Sequence, residues 1–500
     1  MAIPEVSRLS FVRGIDEFLV GRISFPAVNH VLNRKDILGR YRKLLASELY
    51  SKDALRDLKF QKLLATLRHV SIWNPFYARR FKEIGLVPED VRSLEDLRRI
   101  PILARQEVID HRLEMVDIRY RDSVLSADRA RQKPGLPVLF GNSRGRKLVR
   151  NTSTGSTGTP TVFYDDGSTT ALNWAHELRL KHWFGLAPGV KEARMTGIST
   201  LYSAKSMRRS ARKFFWNQMI LPGIFLSDRE YEFSAQKLRE FKPRVLWGLT
   251  SALTGLARYM QRVNEGIAPC SPELVISWAA PLYEHEKNLL ADVFGCSVTN
   301  LYGTREVGHL AMLCPHGSMH VNDENYILEL EGMGIGEEKA GPGSILVTQL
   351  NASPMPFLRY RIGDLAEIAE NVCSCGRSLS VLKSILGRTG DVFKTKDGRL
   401  IEPGFWCHAF MVGRQSQDVE KFQVVYRRND RILFRVIPKA SYSGQTEAEL
   451  RSLMEKHFQS GIQFDFEYVS DIKPQPSGKC PIVVNEIEPQ EEGVAELQSS

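Results

Sequence analysis

Nine residues, Ser153-Thr-Gly-Ser-Thr-Gly-Thr-Pro-Thr161, carry a hydroxyl or a glycine at every position but one. Glycines let backbone N–H groups turn toward an anion and hydroxyls donate further hydrogen bonds, so the stretch suits phosphate wrapping. It lacks the Gly-Lys-Ser/Thr ending of the Walker loop, and a plain flexible loop is the other reading of that composition. Asn300-Leu-Tyr-Gly-Thr-Arg-Glu306 follows a strand-like run and ends in a carboxylate. A tyrosine ring can stack on a purine, an asparagine can pair with an adenine edge and a glutamate can hold Mg²⁺; Tyr302 in a core and Glu306 on a surface is the alternative. Tyr360-Arg-Ile-Gly-Asp364 sets a carboxylate, an acceptor suited to two ribose hydroxyls, directly after a glycine. Gly387-Arg-Thr-Gly-Asp391 supplies Arg388 and a hinge-like Gly390-Asp391 pair, and Gln475-Pro-Ser-Gly-Lys479 puts a lysine on a late turn.

A second constellation is metal-like. Cys314 is followed by His316 and His320, and Cys373-Ser-Cys375 sits on a tight turn further on. Thiolates with one imidazole form a closed, structural zinc site with no position left for water, and either histidine could supply the nitrogen. Cys270, Cys296, Cys407 and Cys480 lack such partners and read as packing residues. Seven scattered cysteines suggest reduced thiols in a cytosol and no disulfide framework.

These groups need a scaffold, and 500 residues with 43% hydrophobic and 25% charged content are enough for several globular domains. Collagen-like and wholly disordered classes are excluded. The longest apolar runs fall far short of the roughly 18 residues of a membrane span, and the charged N-terminal residues do not read as a secretory leader. A net charge of +10 is spread along the chain, apart from Lys205, Arg208, Arg209, Arg212 and Lys213 followed by Phe214, Phe215 and Trp216. That cluster reads as a solvated flank entering a core segment, with a membrane surface or nucleotide phosphate as the alternative. Residues 1–130 look helical: Leu38, Tyr41, Leu44, Leu45 and Leu49 keep helical spacing, as do Leu58, Leu63, Leu64 and Leu67. Residues 131–387 alternate short β-rich runs with helical stretches, which argues an α/β sheet domain. Residues 388–500 read as a small α+β domain on a hinge.

The order of these motifs resembles the adenylate-forming superfamily of acyl-CoA synthetases. Within it, the chain is similar to the phenylacetate-CoA ligase branch and its CapK-type subgroup. The marks are Tyr302-Gly-Thr-Arg-Glu-Val-Gly308, the Cys314 to His320 segment, Cys373-Ser-Cys-Gly-Arg377 and Ile100-Pro-Ile-Leu-Ala104. The resemblance implies a large N-terminal adenylate-forming domain with a helical leader and a small mobile C-terminal domain. It implies that Ser153, Thr154, Gly155, Ser156, Thr157 and Gly158 wrap the β- and γ-phosphates of ATP. Asn300 and Tyr302 would hold the adenine, Ala279, Ala280, Gly303 and Thr304 would also bind the nucleotide, and Asp364 would lie on the ribose with Arg388 on the ribose or phosphate edge. Glu306 would hold Mg²⁺ and Lys479 would stabilise the transferring phosphorus. The subgroup's spacing favours His320, with Cys314, Cys373 and Cys375, as the zinc ligands. Three features depart from the common pattern: the phosphate loop has Thr159 and Thr161 where many members have lysine, Arg305 replaces the usual Ser/Thr, which turns it toward a phosphate or the acid, and the hinge has Gly390 where the aspartate usually stands two after the arginine, with Asp391 one later.

The expected reaction activates a carboxylic acid with ATP to acyl-AMP and then transfers the acyl group to coenzyme A. The acid is expected against Trp247, Gly248 and Trp278, with plain core packing of these aromatics as the alternative. The alternatives are a same-fold ligase that acylates an amine or hydroxyl of a sugar or natural-product intermediate, and a nucleotide-binding protein without turnover. The resemblance further implies a cytoplasmic enzyme connected with polysaccharide biosynthesis, with no nucleic-acid partner and a homodimer left open.

Overall fold

Short polar side chains start the N-terminal helices. Asp36 accepts from the Gly39 N–H, Ser51 from Ala54 and Asn74 from Tyr77, each filling donors that a helix start leaves unpaired. They open α2 (Ile37–Ser47), α3 (Lys52–Trp73) and α4 (Pro75–Glu83), behind a short α1 (Ile15–Leu19). Leu49, expected on the first apolar stripe, lies beyond the end of α2 and is 76% exposed. This computed structural model describes residues 15–27, 36–124, 148–152, 161–198, 215–224, 226–263, 272–331, 342–351, 353–369, 373–388, 393–394, 400–401, 405–406, 409–410, 418–427, 431–458, 462–473 and 481–486. The expected phosphate loop 153–158, the basic run 205–213, Gly390, Asp391, Lys479, Cys270, Cys407 and Cys480 lie outside the described residues.

A hairpin of β1 (Val149–Thr152) and β2 (Val162–Asp165) flanks the expected phosphate loop. Among the described residues the main sheet has eleven strands. Its parallel half is β3 (Glu192–Ile198), β4 (Gln218–Ile224), β5 (Val245–Leu249), β6 (Leu274–Trp278) and β7 (Ser297–Thr304), in the order β7-β6-β5-β3-β4. The helices α6 (Ser168–Trp183), α7 (Asp228–Phe241), α8 (Thr250–Arg262) and α9 (Glu284–Phe294) pack with these strands. Strands covered on both faces read as continuous apolar runs, which is why β5 and β6 stand out in the sequence.

Beyond β7 the sheet becomes antiparallel through β8 (Gly308–Leu313), β9 (Met319–Val321), β10 (Tyr326–Leu330), β11 (Gly343–Gln349), β12 (Tyr360–Ile368) and β13 (Val381–Arg388). The order across this half is β7-β8-β9-β13-β12-β11-β10. The joint is narrow, since β9 and β13 share only the Val381–His320 and Leu382–Met319 pairs. The sheet curls enough for Tyr302 of β7 to reach Asp364 of β12, and the antiparallel half packs on a core that includes Val307, Ala311, Val321, Tyr326, Ile362 and residues of α3 and α4. Helices α3 and α4 thereby pack against the main sheet.

The C-terminal part contains a small pair, β14 (Phe393–Lys394) and β15 (Leu400–Ile401), and a four-stranded sheet. The latter is built from β16 (Val419–Arg427), β17 (Arg431–Pro438), β18 (Gln463–Tyr468) and β19 (Val483–Asn485), with α10 (Gly444–His457). It has its own core around Trp406, Phe410, Phe434, Leu450 and Met454. Trp216 packs against the cluster of Val20, Phe25 and Tyr41, while Ser24 Oγ donates to the Phe215 carbonyl at 2.9 Å.

Candidate functional site

The chemistry-bearing residues gather where the parallel strands end. Ala279, immediately after β6, has φ +71, a left-handed backbone that costs a non-glycine residue roughly 1–2 kcal/mol. Thr250 supports this turn: its Oγ1 lies 2.7 Å from Ser277 Oγ and donates toward the carbonyls of Trp278 and Ala280, each at 3.3 Å. On the neighbouring β7, Asn300 Oδ1 is buried without a hydrogen-bond partner among the described residues, and so is Trp278 Nε1. A buried polar atom left unpaired costs about 1–3 kcal/mol, so these two groups favour a polar ligand. Gly303 permits the close strand approach at the end of β7, because a Cβ there would stand 2.2 Å from the Gly308 carbonyl oxygen.

Tyr302 and Asp364 meet across the curl of the sheet. The Tyr302 hydroxyl donates to Asp364 Oδ2 at 2.7 Å, and Arg388 Nε lies 3.1 Å from Asp364 Oδ1. The Tyr302 ring is partly open while its hydroxyl is enclosed; burial, then the Asp364 charge, pushes its pKa well up. One carboxylate thus collects a phenol from β7 and a guanidinium from β13. Nearby, Tyr360 is 3% exposed, and its pKa is raised by burial and next by the charge of Glu306, while Arg105 and Arg388 pull it down and Asp364 adds to the rise. Asp364, Arg388, Glu306 and Arg105 therefore act on one hydroxyl. Arg305 is exposed and turns to the hairpin, its Nη1 donating to the Thr152 carbonyl at 3.0 Å. Thr304 Oγ1 accepts from Val307 N at 3.4 Å and closes the turn that carries Arg305 and Glu306.

The residues expected against the acid divide. Trp247 is 2% exposed inside the sheet core, with the Arg194 guanidinium 4.6 Å from its ring centre. A Cβ at Gly248 would meet Leu253 at 3.0 Å and Met195 at 3.1 Å. The structure thus puts both in the interior, because β5 is covered on both faces; of the three, Trp278 presents an unpartnered polar group. Sequence reasoning missed Arg105, one residue past the Ile100-Pro-Ile-Leu-Ala104 mark, and a charged layer under α6. In that layer Arg194 pairs with both Glu177 and Glu192, Lys181 with Glu192 at 2.8 Å, and His309 with Glu177 at 3.2 Å. Burial alone would raise the Glu177 pKa, but Arg194 and His309 hold it well below the usual range. No local spacing signals this layer, since its members lie on three separated elements.

The metal-like constellation assembles as a single cluster. One donor atom from each of Cys314, His320, Cys373 and Cys375 lies within 4.8 Å of the others. Cys314 Sγ and Cys373 Sγ are 3.7 Å apart, and Cys375 Sγ is 3.2 Å from His320 Nε2. A tetrahedral ion with Zn–S near 2.3 Å has ligand-to-ligand edges of roughly 3.5–3.8 Å, so the donor set suits zinc. His320 Nδ1 lies 3.3 Å from the Leu379 carbonyl, which directs Nε2 at the thiols. Burial lowers the His320 pKa to about 4, keeping the imidazole neutral as a ligand requires. Burial also pushes the Cys314 thiol up to about 11. His316, the other candidate, instead faces Ser374 Oγ at 3.1 Å. Cys296, read as a packing residue, lies against the core beneath α8 and α9.

Residues 393–486 match the family model described as the CapK C-terminal domain. The chain is 24% identical over 352 residues to Protein CapK of Staphylococcus aureus, covering 68% of this chain and 75% of that one. It is 26% identical over 358 residues to a phenylacetate-coenzyme A ligase of Thermus thermophilus, covering 69% and 73%. Among solved structures it resembles 2-hydroxyisobutyryl-CoA ligase in the postadenylation state with R3-HIB-AMP, at TM-score 0.66 and 19% identity over 90% of this chain and 94% of that one. The same ligase with 2-HIB-AMP and CoA in the thioesterification state gives TM-score 0.53 at 18% identity, covering 89% and 92%.

Proposed function

On a chain that has the fold of the adenylate-forming CoA ligases and a C-terminal domain of the CapK kind, we propose an AMP-forming acid–CoA ligase. The single observation that carries the reading is the Asp364 carboxylate held between Tyr302 and Arg388, beside the unpartnered Asn300 amide oxygen and the left-handed Ala279. In this reading Asp364 takes the ribose hydroxyls, and Asn300 accepts from the adenine amino group while Tyr302 packs along the base. Glu306 holds Mg²⁺, whose charge, when bound, neutralises the phosphates. The stretch 153–158 wraps the β- and γ-phosphates. Lys479 faces the α-phosphate as an acid oxygen attacks and pyrophosphate leaves.

Two anions must meet for a mixed anhydride to form, so orientation and charge neutralisation are the principal demands on the site. In the second step coenzyme A thiolate takes the acyl group and AMP leaves. The C-terminal domain rotates about Gly390 between the steps, so that adenylation and acyl transfer use the same pocket in turn. The four-residue cluster holds a structural zinc, with Cys314, Cys373, Cys375 and His320 as ligands. In the same reading the enzyme works in the cytoplasm, and an amine or hydroxyl of a sugar or natural-product intermediate is the second acceptor class beside coenzyme A. Among the described residues no helix is long and apolar enough to cross a membrane.

Pyrophosphate release with a panel of aryl, hydroxy and fatty acids tests the activation step, and adding coenzyme A or amino sugars singly identifies the acceptor. A panel in which no acid stimulates pyrophosphate release overturns the proposal.

A further inference from the structure

The stretch proposed to meet the phosphates, residues 153–160, contains no lysine or arginine. Something other than its own charge must hold a neutral loop in place against a polyanion. Its two ends are defined by the hairpin, where Thr152 pairs with Val162 across β1 and β2. Each end is gripped by an arginine from a different part of the chain. Arg305 Nη1 donates to the Thr152 carbonyl at 3.0 Å, and Arg105 Nε donates to Thr161 Oγ1 at 3.0 Å. Thr161 is 0% exposed, so that hydroxyl sits in a wall and not on a free turn.

Arg105 opens the short helix α5 (Arg105–Asp110), and the residues just before it are stitched to the strand that carries Asp364. Leu103 N donates to the Arg359 carbonyl and Arg361 N donates to the Leu103 carbonyl, each at 3.0 Å. Leu103 and Tyr360 form a parallel bridge. One end of Arg105 is therefore fixed to the ribose strand and the other to the end of the phosphate stretch. A planar guanidinium makes such a link geometrically specific, which a flexible lysine would not.

We propose that Arg105 is a positioning residue of the adenylation step: by holding the Thr161 hydroxyl it sets the distance between the phosphate-binding stretch and the Asp364 ribose site. The inference rests on the adenylate-forming reading. It assigns Arg105 an action through Thr161, not through a phosphate, and predicts that the two side chains behave energetically as one unit.

A double-substitution cycle on the full chain, read by calorimetric binding of MgATP and of AMP, tests this directly. Arg105→Ala and Thr161→Val should each weaken MgATP binding about tenfold, the effect of one charge-assisted hydrogen bond. The double variant should fall no more than about twofold below either single one. Thr161→Ser keeps the acceptor oxygen, so Arg105→Ala in that background should again cost about tenfold. AMP lacks the β- and γ-phosphates, so its affinity should stay level in all five variants, which separates positioning from general damage to the fold. Additive losses of about a hundredfold, or an equal loss of AMP affinity, would overturn the inference while leaving the adenylation reading intact. A wild-type protein that binds neither nucleotide overturns both.

Discussion

The Tyr302 hydroxyl donates to Asp364 Oδ2 at 2.7 Å although β8, β9 and β13 separate their strands in the sheet order. The contact exists because the sheet curls at the two-pair joint of β9 and β13, and it brings the end of a parallel strand against an antiparallel one. A nucleotide site at the ends of parallel strands is the usual place for a ligand in an α/β sheet. Here the curl brings Asp364, the proposed ribose acceptor, from the opposite side.

Asp364→Ala should weaken binding of both MgATP and AMP, because the ribose belongs to both nucleotides. Tyr302→Phe should cost less, about threefold to tenfold, since Arg388 still holds the carboxylate. Unchanged affinity in Asp364→Ala, measured by calorimetry, would remove this residue from the nucleotide site.

The cysteine cluster should contain about one zinc per chain after chelator washing, by elemental analysis. Cys375→Ser should lower both the metal content and the thermal midpoint, because a structural ion's binding energy contributes to folding. Protein that retains its midpoint without metal would make the thiols ordinary core residues.

His176 predicts a pH dependence. Burial first, then the charges of Arg179, His309, Lys62 and Arg40, hold its pKa well below the ordinary 6.5. The unfolded chain therefore takes up a proton below about pH 6.5 that the folded protein refuses, so stability is full above that pH and falls as the solution is acidified. His176→Gln should make the thermal midpoint less steep between about pH 7 and 5 than in the wild type. Parallel curves for the two proteins would assign the acid sensitivity elsewhere.

Strand positions were legible wherever β-branched and apolar residues run together, as in Val245–Leu249 and Leu274–Trp278, which coincide with β5 and β6. The metal-like cluster was legible too, because two short spacings of thiols and imidazole restrict the chemistry even though Cys314 and Cys373 lie 59 residues apart. The curl was not, since it depends on pairing between distant short strands. Nor was the link from Arg105 to Thr161, 56 residues apart, since neither residue type is distinctive by itself. Trp247 and Gly248 show the reverse limit: proximity to a motif suggested a pocket, whereas strand burial on both faces decides where they point.

Lys479→Ala should abolish pyrophosphate release while leaving MgATP affinity within about threefold, because its charge serves the transition state more than the bound nucleotide. Retained turnover in this variant, followed by pyrophosphate assay, would give the lysine no part in adenylation.

In the proposed adenylation the acid's own oxygen attacks the α-phosphorus of ATP. Supplying the carboxylic acid with both oxygens labelled as ¹⁸O, and weighing the nucleotide product after transfer to coenzyme A, follows that oxygen directly. Adenylation predicts AMP carrying one labelled oxygen and pyrophosphate carrying none. Unlabelled AMP, or label appearing in inorganic phosphate alongside ADP, would contradict it.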